Sequence, residues 1–262
     1  MAFLRPLPGT KLSVSALGLG TVKFGRNQQV KYPSGFTLPD DATIRSLLDQ
    51  AHALGINLLD TAPAYGSSEE RLGQLLDNRH DWVLATKVGE EFEDGRSHFD
   101  FSAAHTRFSI ERSLRRLRTD YLDIVLIHSD GNDEAILSQG DCVDTLRTLQ
   151  QDGLIRAIGM STKTIAGGLR AVRELDLVML TWNLQQQDRA PVALARELGK
   201  GILVKKALMS GHVQREGRDL VRDSLACSLE QPGIHSLIVG TLTSSHLAHN
   251  VAHAHTILAA ES

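Results

Sequence analysis

The chain has almost no cysteine. Cys142 and Cys227 are the only two in 262 residues, which excludes a disulfide framework and predicts a reduced, cytoplasmic setting. It has no excess of one charge sign. Twenty-eight Lys and Arg face 31 Asp and Glu, a net charge of −3, so neither a polybasic nucleic-acid binder nor a membrane-surface binder is expected. It has no apolar run near the ~20 residues a membrane-spanning helix needs. The opening MAFLRPLPGTK has no apolar h-region, so no secretory leader is expected. There is no linker, charge block, low-complexity stretch or sequence repeat to mark a second domain, and one domain over residues 1–262 is expected.

What is present is an alternation. Short β-rich apolar runs alternate with longer segments of helical period. The runs are Ala16–Leu19, Ile56–Asp60, Trp82–Thr86, Tyr121–His128, Ile155–Met160, Leu177–Trp182, Ile202–Lys205 and Ser236–Val239. Between the first two, Ile44, Leu47, Leu48, Ala51 and Leu54 form one stripe, with Asp40 or Asp41 as a cap and Gly55 as a stop. Further on, Ile110, Leu114 and Leu117 form another, and Arg112, Arg115, Arg116 and Arg118 read as its solvated face. Asp188 with Pro191 starts a later helix. Consecutive strand–helix units require parallel strands, and eight of them predict a TIM (β/α)8 barrel, compact, with short loops and little C-terminal tail. An open dinucleotide-binding sheet would need a glycine-rich turn after its first strand. Gly18-Leu19-Gly20-Thr21-Val22-Lys23 lacks the third glycine and runs into a long polar loop.

In such a barrel the reacting groups stand at the C-terminal ends of strands. Here three successive runs end in Asp60, Lys87 and His128. Adjacent strands lie about 5 Å apart, so Asp60 and Lys87 can pair, which keeps a desolvated lysine charged. Tyr65 follows Asp60 on the same loop. A close Lys87 is expected to lower its pKa from the usual ~10 and make it a usable proton donor, with His128 orienting a carbonyl oxygen.

These residues resemble a known family. Leu59-Asp60-Thr61-Ala62-Pro63-Ala64-Tyr65-Gly66 is similar to the Asp-Thr-Ala-x-x-Tyr-Gly signature of the aldo-keto reductases, and Ala85-Thr86-Lys87 and Leu126-Ile127-His128 match the rest of that family's tetrad in order and spacing. The resemblance runs from Leu17 to about Asn250. It implies an NAD(P)H-dependent reductase of small carbonyl compounds. Tyr65 is then the proton donor, Lys87 held by Asp60 tunes it, and the nicotinamide supplies hydride. It implies cofactor contacts at Gly20, Thr21, Asp60, Ser161, Lys205, Leu208, Ser210, Gly211, Gly240, Thr241, Ser244 and Asn250. The pattern departs from the family in places. Thr162 stands where asparagine is common, and Met179 where a glutamine is. Lys205 or Lys206 replaces an aromatic that stacks on the nicotinamide. Gly240 and His246 replace a lysine and an arginine that favour the 2′-phosphate of NADP. NADPH is expected on the family pattern, with NADH the alternative.

Phe24 and Trp182, beside Tyr65 and His128, are the expected substrate-pocket residues, with Phe92 a further aromatic candidate, whereas Trp82 starts its strand and belongs at the far end. Glu90, Glu91, Glu93 and Asp94 read as a solubilising loop or as a mouth that disfavours anionic substrates, the former preferred. His246, His249 and His253 share a helix face but read as surface positions, because no carboxylate or cysteine joins them; no metal is expected. Two other readings compete: a Schiff-base aldolase using Lys87, Lys205 or Lys206, and a non-catalytic cofactor-binding regulator. The short Ser129–Glu134 segment and the small C-terminal remainder predict an open pocket with loose substrate selection.

Overall fold

A computed structural model describes residues 3–32, 35–211, 214–215 and 218–260. The eight apolar runs form eight parallel strands: β1 (Leu17–Gly20), β2 (Leu58–Asp60), β3 (Val83–Val88), β4 (Leu122–His128), β5 (Ile155–Ser161), β6 (Leu177–Thr181), β7 (Gly201–Lys205) and β8 (Ser236–Val239). They close into one barrel in chain order, β8 pairing with β1. Helices follow the strands on the outside: α1 (Asp41–Ala53), α2 (Ser68–Leu75), α3 (Ala103–Leu117), α4 (Asp141–Gln151), α5 (Ile165–Glu174), α6 (Arg189–Glu197), α7 (Leu220–Leu229) and α8 (Ser244–Ala260). The TIM barrel expected from the alternation is therefore the observed fold. The caps agree as well: Asp40 accepts from Thr43 N at 2.8 Å, and Gly55 takes the left-handed φ of +80° that ends the turn after α1.

Strand periodicity sorts the core into two layers. Leu58, Val83, Ala85, Ile124, Leu126, Ala157, Leu177, Met179 and Leu203 point into the barrel. Their neighbours Leu59, Leu84, Val125, Ile127, Ile158, Val178, Leu180 and Val204 point out beneath the helices. Both faces are buried, which is why the runs are apolar without alternation. The residues before Ala16 form an antiparallel hairpin, Leu4–Pro6 with Ser13–Ser15. Leu7, Leu12 and Val14 from this region fill the barrel floor, where Leu7 sits against Gly201 at the start of β7.

The upper rim carries a hairpin where the acidic residues predict a loop. Glu90–Glu93 and Arg96–Phe99 pair as an antiparallel hairpin directly above β3. Asp94 and Gly95 at its tip have φ of +48° and +74°. Two left-handed residues at an Asp-Gly tip are the two-residue turn whose twist suits a hairpin.

Candidate active site

The same periodicity that fills the barrel also places its chemistry. Leu58 points inward, so Asp60 does. Val83 and Ala85 point inward, so Lys87 does; Ile124 and Leu126 bring His128 to the same face. Ser161, Thr181 and Lys205 follow by the same count on β5, β6 and β7. These side chains line one cleft of about 630 Å³ at the C-terminal rim.

Lys87 is buried, and its Nζ donates to Asp60 Oδ1 at 2.6 Å and to Thr61 O at 2.8 Å. Burial pulls the lysine pKa down. Asp60 and Tyr65 beside it outweigh that and hold it above the ordinary lysine value, so the ammonium stays charged. Tyr65 closes a short 3-10 turn, Pro63–Tyr65. Gly66, next in the motif, has φ +61° and ψ −123°, and a Cβ there would lie 2.2 Å from Gly25 O. Only glycine fits that close crossing, which fixes the entry of Tyr65 into the cleft. The Lys87 ammonium lies 4.8 Å from the Tyr65 ring centroid, and the tyrosine ring meets His128 edge-on at 6.3 Å.

The expected lowering of the Tyr65 pKa needs correction. Burial raises it, Lys87 opposes, and the net shift is upward. The phenol is therefore held protonated. His128 is shifted down by burial, with Lys87 and Lys205 adding to the effect and Glu90 opposing it. Glu90 itself sits in the cleft with Oε2 2.9 Å from His128 Nδ1, while Ser97 Oγ donates to its other oxygen at 2.7 Å and Arg26 lies 3.6 Å away. Burial pushes its pKa up, but His128, Ser97 and Arg26 more than offset this and hold it at about 2. Glu91, the next acid of the loop, pairs with Arg112 at 2.5 Å and lies 3.2 Å from His105.

Of the expected cofactor residues, Gly20, Thr21, Asp60, Ser161, Lys205, Leu208, Ser210, Gly211 and Gly240 line the cleft. Thr21 Oγ1 donates to Asp60 O at 3.0 Å, tying the turn after β1 to β2. Thr241, Ser244 and Asn250 lie beyond the cleft lining, in the β8–α8 turn and along α8. Phe24 and Trp182 do not join the pocket. Phe24 is fully buried in the outer core. Trp182 follows inward-facing Thr181, so it turns outward and donates its indole N–H to Cys227 O at 2.9 Å. Glu90, read from sequence as part of a solubilising loop in preference to a mouth, lies in the cleft, and sequence reasoning missed Arg26, Tyr32 and Phe99 there. The Asp94-Gly95 tip between two short runs was the available signal for the hairpin that brings in Glu90 and Phe99. Tyr32 comes from the long loop after β1, which has no pattern to read; burial, Tyr65 and Asp60 push its pKa up to about 12.

The cleft suits an anionic, extended ligand. Lys206, Met209, Ser210 and Gly211 have φ of +58°, +48°, +57° and +89°. Successive left-handed residues gather backbone N–H groups into an anion-binding concavity, at a cost in strain that points to function. Lys31, Lys163 and Lys206 line the same cleft and make no ion pair among the described residues. A Cβ on Gly240 would lie 3.1 Å from the Tyr32 hydroxyl, so glycine keeps that wall open. These features fit a phosphate-bearing dinucleotide. Among the described residues no three His, Cys, Asp or Glu side chains group as metal ligands, and no helix is long and apolar enough to cross a membrane.

A barrel whose strand ends bring Asp60, Lys87 and His128 together beside Tyr65 is the class of structure the sequence motif implied. The aldo/keto reductase family model matches residues 16–225. The chain belongs to that family and is an oxidoreductase acting with a nicotinamide cofactor. Its fold is similar to that of a Pseudomonas aeruginosa protein described as an aldo-keto reductase, at 54% identity over 97% of this chain and 95% of that one, with a TM-score of 0.89. The holo form of an aldo-keto reductase from Bacillus halodurans matches with a TM-score of 0.82 at 25% identity, over 97% and 91% of the two chains. Among curated proteins, an uncharacterized oxidoreductase of Bacillus subtilis is 27% identical over 94% of this chain and 89% of its own. The NADH-specific methylglyoxal reductase of Escherichia coli is 29% identical over 80% and 70%.

Proposed function

We propose that this protein is a carbonyl reductase in which Tyr65 protonates the substrate oxygen. The observation that carries the reading is the buried Lys87–Asp60 pair at 2.6 Å beside a protonated Tyr65 and His128. A bound nicotinamide supplies hydride to the carbonyl carbon. The chain's own groups supply the rest. Lys87, fixed by Asp60 and Thr61 O, stays cationic and stabilises the negative charge left on Tyr65 as its proton moves to the carbonyl oxygen. His128 in its cationic form, supported by Glu90, donates a hydrogen bond to the same oxygen. The proton-donor role agrees with the raised Tyr65 pKa, since the phenol remains loaded across neutral pH.

The left-handed loop with Leu208, Ser210 and Gly211 is assigned to the cofactor pyrophosphate, Gly20, Thr21 and Ser161 to its nicotinamide half, and Gly240, Thr241, Ser244 and Asn250 to the adenosine end over the rim. NADPH is the preferred donor, since Lys31 and Lys206 offer positive charge at the cleft. Steady-state kinetics with NADPH and NADH over a panel of aldehydes and ketones tests this. Turnover of an activated aldehyde with higher kcat/KM for NADPH is expected. Equal values would overturn the coenzyme preference, and no oxidation of either coenzyme would favour the regulatory reading.

One observation favours a second chemistry. Burial and neighbouring lysines pull the Lys205 amine down to about 7, close to a usable nucleophile, whereas Lys87 is held as an ion pair. If Lys205 acts as an aldolase lysine, borohydride will trap a carbonyl substrate on it; the reductase reading expects no adduct.

A further inference from the structure

Lys205 closes β7, and the carbonyl chemistry assigned above makes no use of it. Its Nζ donates to Ser161 Oγ at 2.8 Å and to Thr162 O at 2.5 Å, so the amine is fixed in the cleft wall against the end of β5. It is also electrostatically close to the reacting groups. The charge of Lys205 acts on His128, and that of Lys87 acts on Lys205. A nicotinamide that hands hydride to a carbon whose oxygen faces Tyr65 and His128 must lie against that carbon. The ring therefore falls within the field of Lys205.

The two redox forms of the cofactor differ by one charge at that ring. The reduced ring is neutral. Loss of a hydride, two electrons and a proton, leaves the oxidised ring with a charge of +1. The phosphates are the same in both forms and cancel in a comparison. An ammonium in the wall therefore disfavours one form and spares the other.

We propose that Lys205 makes the cleft discriminate between the two redox states of its dinucleotide, holding the reduced form more tightly than the oxidised one. The inference rests on the nicotinamide-dependent reading above and gives it a direction: binding of the reduced cofactor and release of the oxidised one are both favoured, which suits carbonyl reduction.

The groups that act on Lys205 are Lys206, Lys163 and Lys87, all of like charge, joined by His128 when it is protonated, and Asp133, which opposes them. Asp133 is buried and its Oδ2 accepts from the backbone N–H of Lys163 at 2.9 Å and of Thr164 at 2.7 Å, so much of its charge is already engaged. Burial and the three lysines bring Lys205 to about 7 in the ligand-free cleft. Cofactor phosphates will raise that value. The preference is thus strongest at mildly acid pH and fades as Lys205 loses its proton.

Dissociation constants for NADPH and NADP⁺, measured by fluorescence quenching from pH 6 to 9, test this on the wild type and two variants. Lys205→Gln keeps a donor for Ser161 Oγ and Thr162 O but carries no charge, and Lys205→Arg stays charged throughout. Circular dichroism checks that both variants are folded. In the wild type, Kd for NADP⁺ is expected to exceed that for NADPH by about tenfold at pH 6, with the gap narrowing towards pH 9. Lys205→Arg should keep the gap at every pH. Lys205→Gln should bring the ratio to within about twofold of one. An unchanged ratio in Lys205→Gln, with both forms still bound, overturns the inference while leaving the reductase reading intact. Binding of neither dinucleotide to the wild type overturns both.

Discussion

Glu90 Oε2 lies 2.9 Å from His128 Nδ1. The two groups pair by charge, with no aligned hydrogen bond at Nδ1. Burial lowers the His128 pKa and Glu90 opposes that shift. Protonation of both ring nitrogens, which Glu90 favours, makes Nε2 a donor to a carbonyl oxygen.

Glu90 therefore sets the pH range of carbonyl reduction. Glu90→Gln removes the charge that supports the imidazolium, and the alkaline fall of kcat/KM should move about one pH unit to the acid side. Activity at neutral pH should drop about threefold to tenfold. A pH–rate profile and NMR titration of His128 check this together; an unmoved profile would show that Glu90 only supports the hairpin.

Asp60 and Lys87 stabilise each other in a buried site. Lys87→Met leaves the Asp60 carboxylate buried without its cation, and a loss of about 3 kcal/mol in unfolding free energy is expected. The double variant Asp60→Asn with Lys87→Met should lose less than the sum of the two single losses. Urea unfolding measures all three. Additive losses would mean the pair is not coupled.

His235 gives the fold a pH limit that has nothing to do with the cleft. Its Nδ1 accepts from Ile202 N–H at 3.1 Å, and burial together with the Arg5 guanidinium brings its pKa down to about 4. The folded value is below the unfolded one of about 6.5, so between these two pH values the unfolded chain binds more protons. Stability should be flat well above pH 6.5 from this group and fall by roughly 3 kcal/mol as pH drops towards 4. His235→Asn keeps an acceptor that does not titrate, and should remove this part of the acid loss in denaturant titrations at pH 7 and 4.5.

Trp182 separates the sequence expectation from the structure. Trp182→Phe should leave kcat/KM for a neutral aldehyde within about twofold, because the side chain faces α7. Its thermal midpoint should fall by a few degrees on loss of the bond to Cys227 O. A large change in substrate profile would return Trp182 to the pocket.

Much of the cleft was legible because it follows from strand parity and chain order. Asp60, Lys87 and His128 could be placed on one face once β2, β3 and β4 were recognised, and all eight strands fall within two residues of the apolar runs. The same parity, applied to Trp182, would have turned it outward. What escaped was set by loops. Tyr32 and Arg26 reach the cleft from a connection of no regular period, and the net pKa of Tyr65 depends on how deeply the rim buries it. Spacing along a chain gives the partners of a charge but not its desolvation.

The Tyr65 hydroxyl is the group that hands a proton to the carbonyl oxygen in the proposed reaction. Tyr65→Phe removes one oxygen from a ring whose packing against His128 and Lys87 can persist. With NADPH and an activated aldehyde, kcat should fall at least about 100-fold while Kd for NADPH, measured by fluorescence, stays within about twofold of the wild type. A kcat within about threefold of the wild type would contradict the assignment of Tyr65 as proton donor.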